Sequence, residues 1–152
     1  MLHFSNHIKE HMTKHPYFSS RNTPVKEALK FMRQKGFRHL PVVENKKVVG
    51  IVSDRNLKEA ESFADTMHLT LADVMSTEPY CIDTKTPLSD VLQTMVDRKI
   101  GSAIVLNNVG SVAGIFTSVD AMKILSNILD RAYEDTSFEP NMEQFVSGNF
   151  FI

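Results

Sequence analysis

Met12-Thr13-Lys14-His15-Pro16-Tyr17 returns 63 residues later as Met75-Ser76-Thr77-Glu78-Pro79-Tyr80. Thr23-Pro24 returns at the same offset as Thr86-Pro87, and Val25, Ala28, Leu29 and Met32 return as Leu88, Val91, Leu92 and Met95. Gly50-Ile51-Val52-Ser53 then returns 64 residues later as Gly114-Ile115-Phe116-Thr117, so one residue is inserted between the blocks. Such repetition decides architecture before any single motif does. Two like units that pack together leave two related clefts, and function is to be sought there.

Each unit reads as β-α-β-β-α. Thr23-Pro24 opens a helix, with Thr expected to cap the free amides and Pro fitting the first helical position. Val25, Ala28, Leu29 and Met32 form one apolar stripe, and Gly36 ends the helix. Phe37-Arg38-His39-Leu40-Pro41-Val42-Val43 and Val48-Val49-Gly50-Ile51-Val52 read as a hairpin joined by a polar turn. A helix over Asp54–Phe63 follows. The second half repeats the order: a helix over Leu88–Arg98, strands over Ser102–Leu106 and Val112–Phe116, and a last helix over Ser118–Leu129. Short strands around Tyr17-Phe18 and Tyr80-Cys81-Ile82 precede the first helices. Helical lead-ins over His3–His11 and Leu69–Val74 precede each unit.

The 152 residues suit two small units sharing a core: an α+β chain with residues 1–66, 67–130 and a tail over 131–152. Hydrophobic content of 42% and charged content of 23% fit a globular protein. No run nears the roughly 20 apolar residues needed to span a bilayer, and the N-terminus lacks the pattern of a signal peptide. A net charge of −1 argues against a broad nucleic-acid surface. The single cysteine, Cys81, excludes an internal disulfide, suits a reducing, cytoplasmic setting, and is expected buried in its strand.

These motifs resemble the cystathionine-β-synthase (CBS) domain, here as a tandem pair or Bateman module. They are Met-Thr/Ser-x-x-Pro, the Thr-Pro helix start, Phe37 to Val43, and Gly-Ile-x-Ser/Thr-x-x-Asn/Asp. The resemblance covers about residues 8–130 and implies two repeats packed with pseudo-two-fold symmetry, commonly as a homodimer. It also implies a stand-alone, non-catalytic sensor whose clefts take AMP, ADP or ATP, more rarely S-adenosylmethionine or NAD, and which acts on an unidentified regulated protein. No cofactor, metal, membrane or nucleic-acid partner is expected. The alternative is a ligand-free dimerisation or scaffold module.

By the same resemblance, Asp120 holds a ribose and Thr117 lies beside phosphate, with Thr13, Tyr17, Phe37, Arg38 and His39 as wall and Ile115 as floor. A carboxylate suits a ribose diol because its hydrogen bonds are charge-assisted. Thr117-x-x-Asp120 also has the spacing of a capping box, which needs no ligand. The second, weaker site comprises Ser53, Arg55, Asn56, Tyr80, Ile82, Ser102 and Ala103, where Asn56 brings no charge. Arg38 and His39 belong to this half too and could reach phosphate there, or could be a surface strand with a snorkelling arginine. His3, His7, His11 and His15 recur every four residues, but no carboxylate or cysteine completes a metal set. Phe138, Met142, Phe145, Phe150, Phe151 and Ile152 make an aromatic tail expected to dock on a partner subunit or cover a cleft.

Overall fold

A computed structural model describes residues 5–63 and 68–134. The first repeat holds β1 (Thr13–Lys14), α1 (Val25–Lys35), β2 (His39–Glu44), β3 (Lys47–Ser53) and α2 (Asp54–Glu61). The second follows with α3 (Leu71–Val74), β4 (Cys81–Asp83), α4 (Leu88–Arg98), β5 (Ser102–Leu106), β6 (Val112–Thr117) and α5 (Ser118–Glu134). The chain divides into two compact units, Met1–Asp120 and Ala121–Ile152.

The first unit is built on an exchange that the repeat pattern hides. The lead-in of each repeat pairs with the other repeat. β1 pairs antiparallel with β6, Thr13 opposite Ile115, and Ser76 bridges Ile51 of β3 in the matching way. Two glycines permit this. A Cβ on Gly50 would lie 2.8 Å from the Ser76 carbonyl oxygen, and one on Gly114 would lie 2.9 Å from that of Thr13. The thioethers of Met75 and Met12 sit over the same two glycines. Any side chain there would push the crossing strand away.

The exchange also caps the helices. Neither Thr23 nor Thr86 caps with its side chain, contrary to the expectation from Thr-Pro. The Thr23 hydroxyl instead bonds that of Ser19 at 2.7 Å. The first free amide of α1, Val25 N–H, donates to the Leu69 carbonyl at 2.9 Å, and that of α4, Leu88 N–H, donates to the Asn6 carbonyl at 2.6 Å. Proline leaves the amide after it as the one in need, and a passing backbone carbonyl satisfies it. The second lead-in is helical over Leu71–Val74, as expected, whereas the described part of the first holds only a 3₁₀ turn at Ile8–Glu10. Ile8 and Leu71 anchor them as fully buried side chains.

The sheets follow the same symmetry. One has the order β1-β6-β5-β4, with β4 parallel to β5. The other is β2-β3, extended by Ser76 beside β3 and Ser19 beside β2. Tyr17 and Phe18 thus form no strand, and Ser19 alone makes the bridge. Both hairpins carry a bulge at matching positions, Val42/Val43 and Val105/Leu106. Their turns differ. Asn45 and Lys46 both have positive φ, the two-residue geometry that suits strand twist. The inserted residue makes the second turn a loop in which the Asn107 side chain accepts from Val109 N–H at 3.1 Å and Ser111 N–H at 2.9 Å.

The apolar stripe of α1 is buried as expected, packed with Leu40, Val42, Val52, Leu57 and Leu71. In α4 and its sheet, Val91, Ala103, Ile104, Val105 and Phe116 are fully buried. Strand ends shift by a residue or two, and two helix ends move: α2 stops at Glu61, and α5 runs on to Glu134, since no glycine or proline interrupts it there. Cys81 is exposed, not buried, because β4 is an edge strand. Partial desolvation still raises its thiol pKa, so the thiol form dominates. In the second unit Met122, Leu125, Leu129 and Tyr133 are exposed on α5. The aromatic residues from Phe138 to Ile152, and His3, lie outside the described residues.

Candidate functional site

The N-terminus of α2 faces a cavity of about 570 Å³. Ser53 and Asn56 shape it. The Ser53 hydroxyl accepts from Asn56 N–H at 3.2 Å, and Asn56 Oδ1 accepts from Ser53 N–H at 3.1 Å and from the Ser53 hydroxyl at 2.7 Å. This is a complete capping box. Beside it Asp54 is tied to Lys58 at 2.8 Å. That bond is the main reason its carboxyl titrates below the usual range.

Four cations line the cavity: Arg38 before β2, Arg55 on α2, and Arg98 and Lys99 at the end of α4. None of them forms a salt bridge among the described residues. The carboxylates in the lining are Asp54, already spent on Lys58, and Glu78. The wall is therefore electropositive. Tyr80 supplies the aromatic surface, with the Arg98 guanidinium over its ring at 5.3 Å from the centroid. His39 lies between the halves, so close to Gly101 that a Cβ there would meet its Nε2 at 3.4 Å. Burial lowers the His39 pKa, Asp54 raises it and Arg38 lowers it again, with burial dominant. The imidazole is thus neutral at pH 7.

Of the residues assigned to the weaker site, Ser53, Arg55, Asn56, Tyr80 and Ser102 line this cavity, whereas Ile82 and Ala103 do not. Ala103 is fully buried in β5. Arg38 and His39, given by the resemblance to the Asp120 cleft, line this cavity as well. Sequence reasoning missed Arg98 and Lys99. The counterparts of Arg38-His39 in the second half, Gly101-Ser102, are uncharged. The signal was present three residues earlier, where Arg98 and Lys99 stand opposite Lys35 and Gly36.

Around Asp120 the chemistry differs. Asp120 Oδ2 accepts from Thr117 N–H at 2.8 Å and from the Thr117 hydroxyl at 3.0 Å, and Asp120 N–H donates to that hydroxyl at 3.4 Å. Both bonds to the carboxylate fall on Oδ2. Thr13 and Ile115 are paired across β1 and β6. Tyr17 stacks on Phe37 at 5.3 Å and 26°, and Phe31 packs edge-on against both, at 5.1 and 5.5 Å. These three rings pack on one another, and Tyr17 stays half exposed.

Four exposed cations and a flat ring can together grip an anion that carries an aromatic group.

The CBS-domain family model matches residues 8–62 and 71–127. An uncharacterized protein of Methanocaldococcus jannaschii, MJ1404, is 33% identical over 118 residues, 76% of this chain and 27% of that protein. The chain spans 38% of a second such relative, MJ1232, so it corresponds to a minor part of both. Among solved structures, an acetoin utilization protein (AcuB) from Vibrio cholerae superimposes with a TM-score of 0.74 at 31% identity. That match covers 90% of this chain and all of the other. The CBS domain pair of protein MJ0100, solved with 5′-methylthioadenosine and S-adenosyl-L-methionine, superimposes with a TM-score of 0.73 at 24% identity. It covers 80% of this chain and 96% of that one.

Proposed function

The chain belongs to the CBS-domain family, and from that premise we propose that it is a non-catalytic regulatory module that binds an adenine nucleotide in the Ser53 cavity. The Asp120 cleft, with Thr13, Tyr17, Phe37, Ile115 and Thr117, is proposed as a second, ribose-directed site. The observation that carries this reading is the cluster of four cations, without a salt bridge among the described residues, beside Tyr80 in one cavity. That lining matches the two ends of a nucleotide, a base and a chain of phosphates. The adenosine-bearing ligands of the MJ0100 pair support the choice of base. Binding draws the two repeats together across the cavity and so favours one arrangement of them. A regulated protein that distinguishes the arrangements then feels the ligand.

The test is thermal unfolding with AMP, ADP, ATP, S-adenosylmethionine and NAD in turn. A ligand at 100 times its dissociation constant adds about 2.7 kcal/mol, or roughly 5–10 °C at this size. No shift with any of them overturns the reading. A second reading, a dimerisation module, is favoured by exposed Met122, Leu125, Leu129 and Tyr133 on α5. It is separated by measuring mass in solution after replacing Met122 and Leu125 with Gln.

A further inference from the structure

Arg98 is the last residue of α4, and Lys99 after it has left-handed backbone at φ 53°. The helix ends there, so the Arg98 side chain projects from a terminus and is exposed. Its guanidinium lies over the Tyr80 ring, and both residues line the cavity. Among the described residues it has no carboxylate partner. It therefore holds an aromatic face with a flat cation while its N–H donors remain available.

A base that stacks on Tyr80 competes for that face. A displaced guanidinium has a use nearby only if the ligand is anionic, because it then joins Arg38, Arg55 and Lys99 on phosphate. We infer that Arg98 exchanges the Tyr80 ring for phosphate when ligand enters, and so makes the cavity select phosphorylated nucleotides over bare nucleosides. This deepens the nucleotide reading and rests on it. A nucleoside must displace Arg98 with nothing to receive it. A nucleotide recovers the lost contact as a charge-assisted, fork-shaped one. The matching site has no such device. There the ring of Tyr17 is covered by Phe37, which cannot move to phosphate, and Lys35 stands in the place of Arg98.

The experiment is calorimetric titration of the full chain with adenosine, AMP, ADP and ATP, comparing wild type with Arg98→Ala and Tyr80→Leu. Thermal midpoints without ligand confirm that each variant folds. For Arg98→Ala, adenosine should bind about two- to fivefold tighter, since the ring is uncovered. ATP should bind about tenfold weaker, since a charged contact is lost. Tyr80→Leu should weaken adenosine by a larger factor than ATP. If Arg98→Ala changes adenosine and ATP by the same factor, or changes neither, Arg98 is not an exchanging residue although the nucleotide reading stands. If wild type binds none of the four, the nucleotide reading falls and the role of Arg98 with it.

Discussion

The helix that follows β3 and the helix that follows β6 begin with the same device and serve different chemistry. Ser53 with Asn56 and Thr117 with Asp120 make the same capping hydrogen bonds at the same separation. The Asn56 end gathers Arg38, Arg55, Arg98 and Lys99. The Asp120 end has a carboxylate held by the Thr117 amide and hydroxyl. Duplication kept the backbone scaffold, which geometry constrains tightly. Charge was free to diverge, because an exposed cation costs the fold almost nothing.

The largest expected effect tests whether the scaffold is as symmetric as this implies. Gly50→Ala and Gly114→Ala each place a Cβ against a crossing carbonyl oxygen, at 2.8 and 2.9 Å. Each should cost about 1–3 kcal/mol in chemical denaturation, the range for overpacking. Equal losses support exchanged lead-ins of equal weight. If one variant is neutral, its lead-in is not held by the glycine, and the symmetry is of sequence only.

Next in size is the difference in ligand grip. Arg38→Ala should weaken ATP binding at the Ser53 cavity about tenfold by titration, the scale of a charged hydrogen bond. Asp120→Ala should leave that event intact, remove any second binding event, and lower stability by about 1 kcal/mol through loss of the cap. Loss of all ATP binding in Asp120→Ala with none in Arg38→Ala would reverse the assignment of the two clefts.

How much of this was legible from sequence depends on the range of the interaction. The stripe of α1, the Gly36 stop, the hairpins and the Thr117–Asp120 capping box are local, and the residues within a few positions dictate them. The exchange of lead-ins was not legible. It hangs on backbone bonds such as Val25 N–H to Leu69, which carry no side-chain signature. The Thr-Pro pair therefore looked like a side-chain cap. Cys81 looked buried because strand residues usually are, and only the strand order shows β4 to be an edge. Ser53, Asn56 and Tyr80, named from the family resemblance carried across the repeat, do line the cavity. Arg98 and Lys99 were not named, because they and their counterparts Lys35 and Gly36 lie outside the repeated motifs, and a basic helix end by itself marks no site.

A smaller effect separates the clefts by pH. Burial holds the His39 pKa below its ordinary 6.5. As pH falls through that value the unfolded chain takes up a proton that the folded chain resists, so folding stability falls with it. At pH 7 and above this contribution vanishes. An anionic ligand in the cavity favours protonated His39, so ATP affinity should instead rise as pH drops from 8 to 6. His39→Gln should flatten both slopes. Parallel slopes for stability and affinity in wild type would mean that His39 does not face the ligand.

The smallest effect lies at the two C-caps, Gly36 and Lys99, which occupy equivalent places and both have left-handed backbone, at φ 73° and 53°. Glycine takes that conformation freely, while a residue with a Cβ pays about 1 kcal/mol. Gly36→Ala should accordingly destabilise by about 0.5–1 kcal/mol, with no clash to add, since nothing lies within 4 Å of its Cβ. Lys99→Gly should recover a comparable amount, less a few tenths for the greater freedom of the unfolded chain. Lys99 lines the cavity and Gly36 does not appear in its lining. Lys99→Gly should therefore raise the thermal midpoint by a few degrees and weaken ATP binding at once. A strained lysine kept where its twin position has glycine is what a binding site looks like when it is maintained against the preference of the fold. If Lys99→Gly stabilises the chain and leaves ATP affinity untouched, that cation is a drifted surface residue and the cavity relies on its three arginines alone.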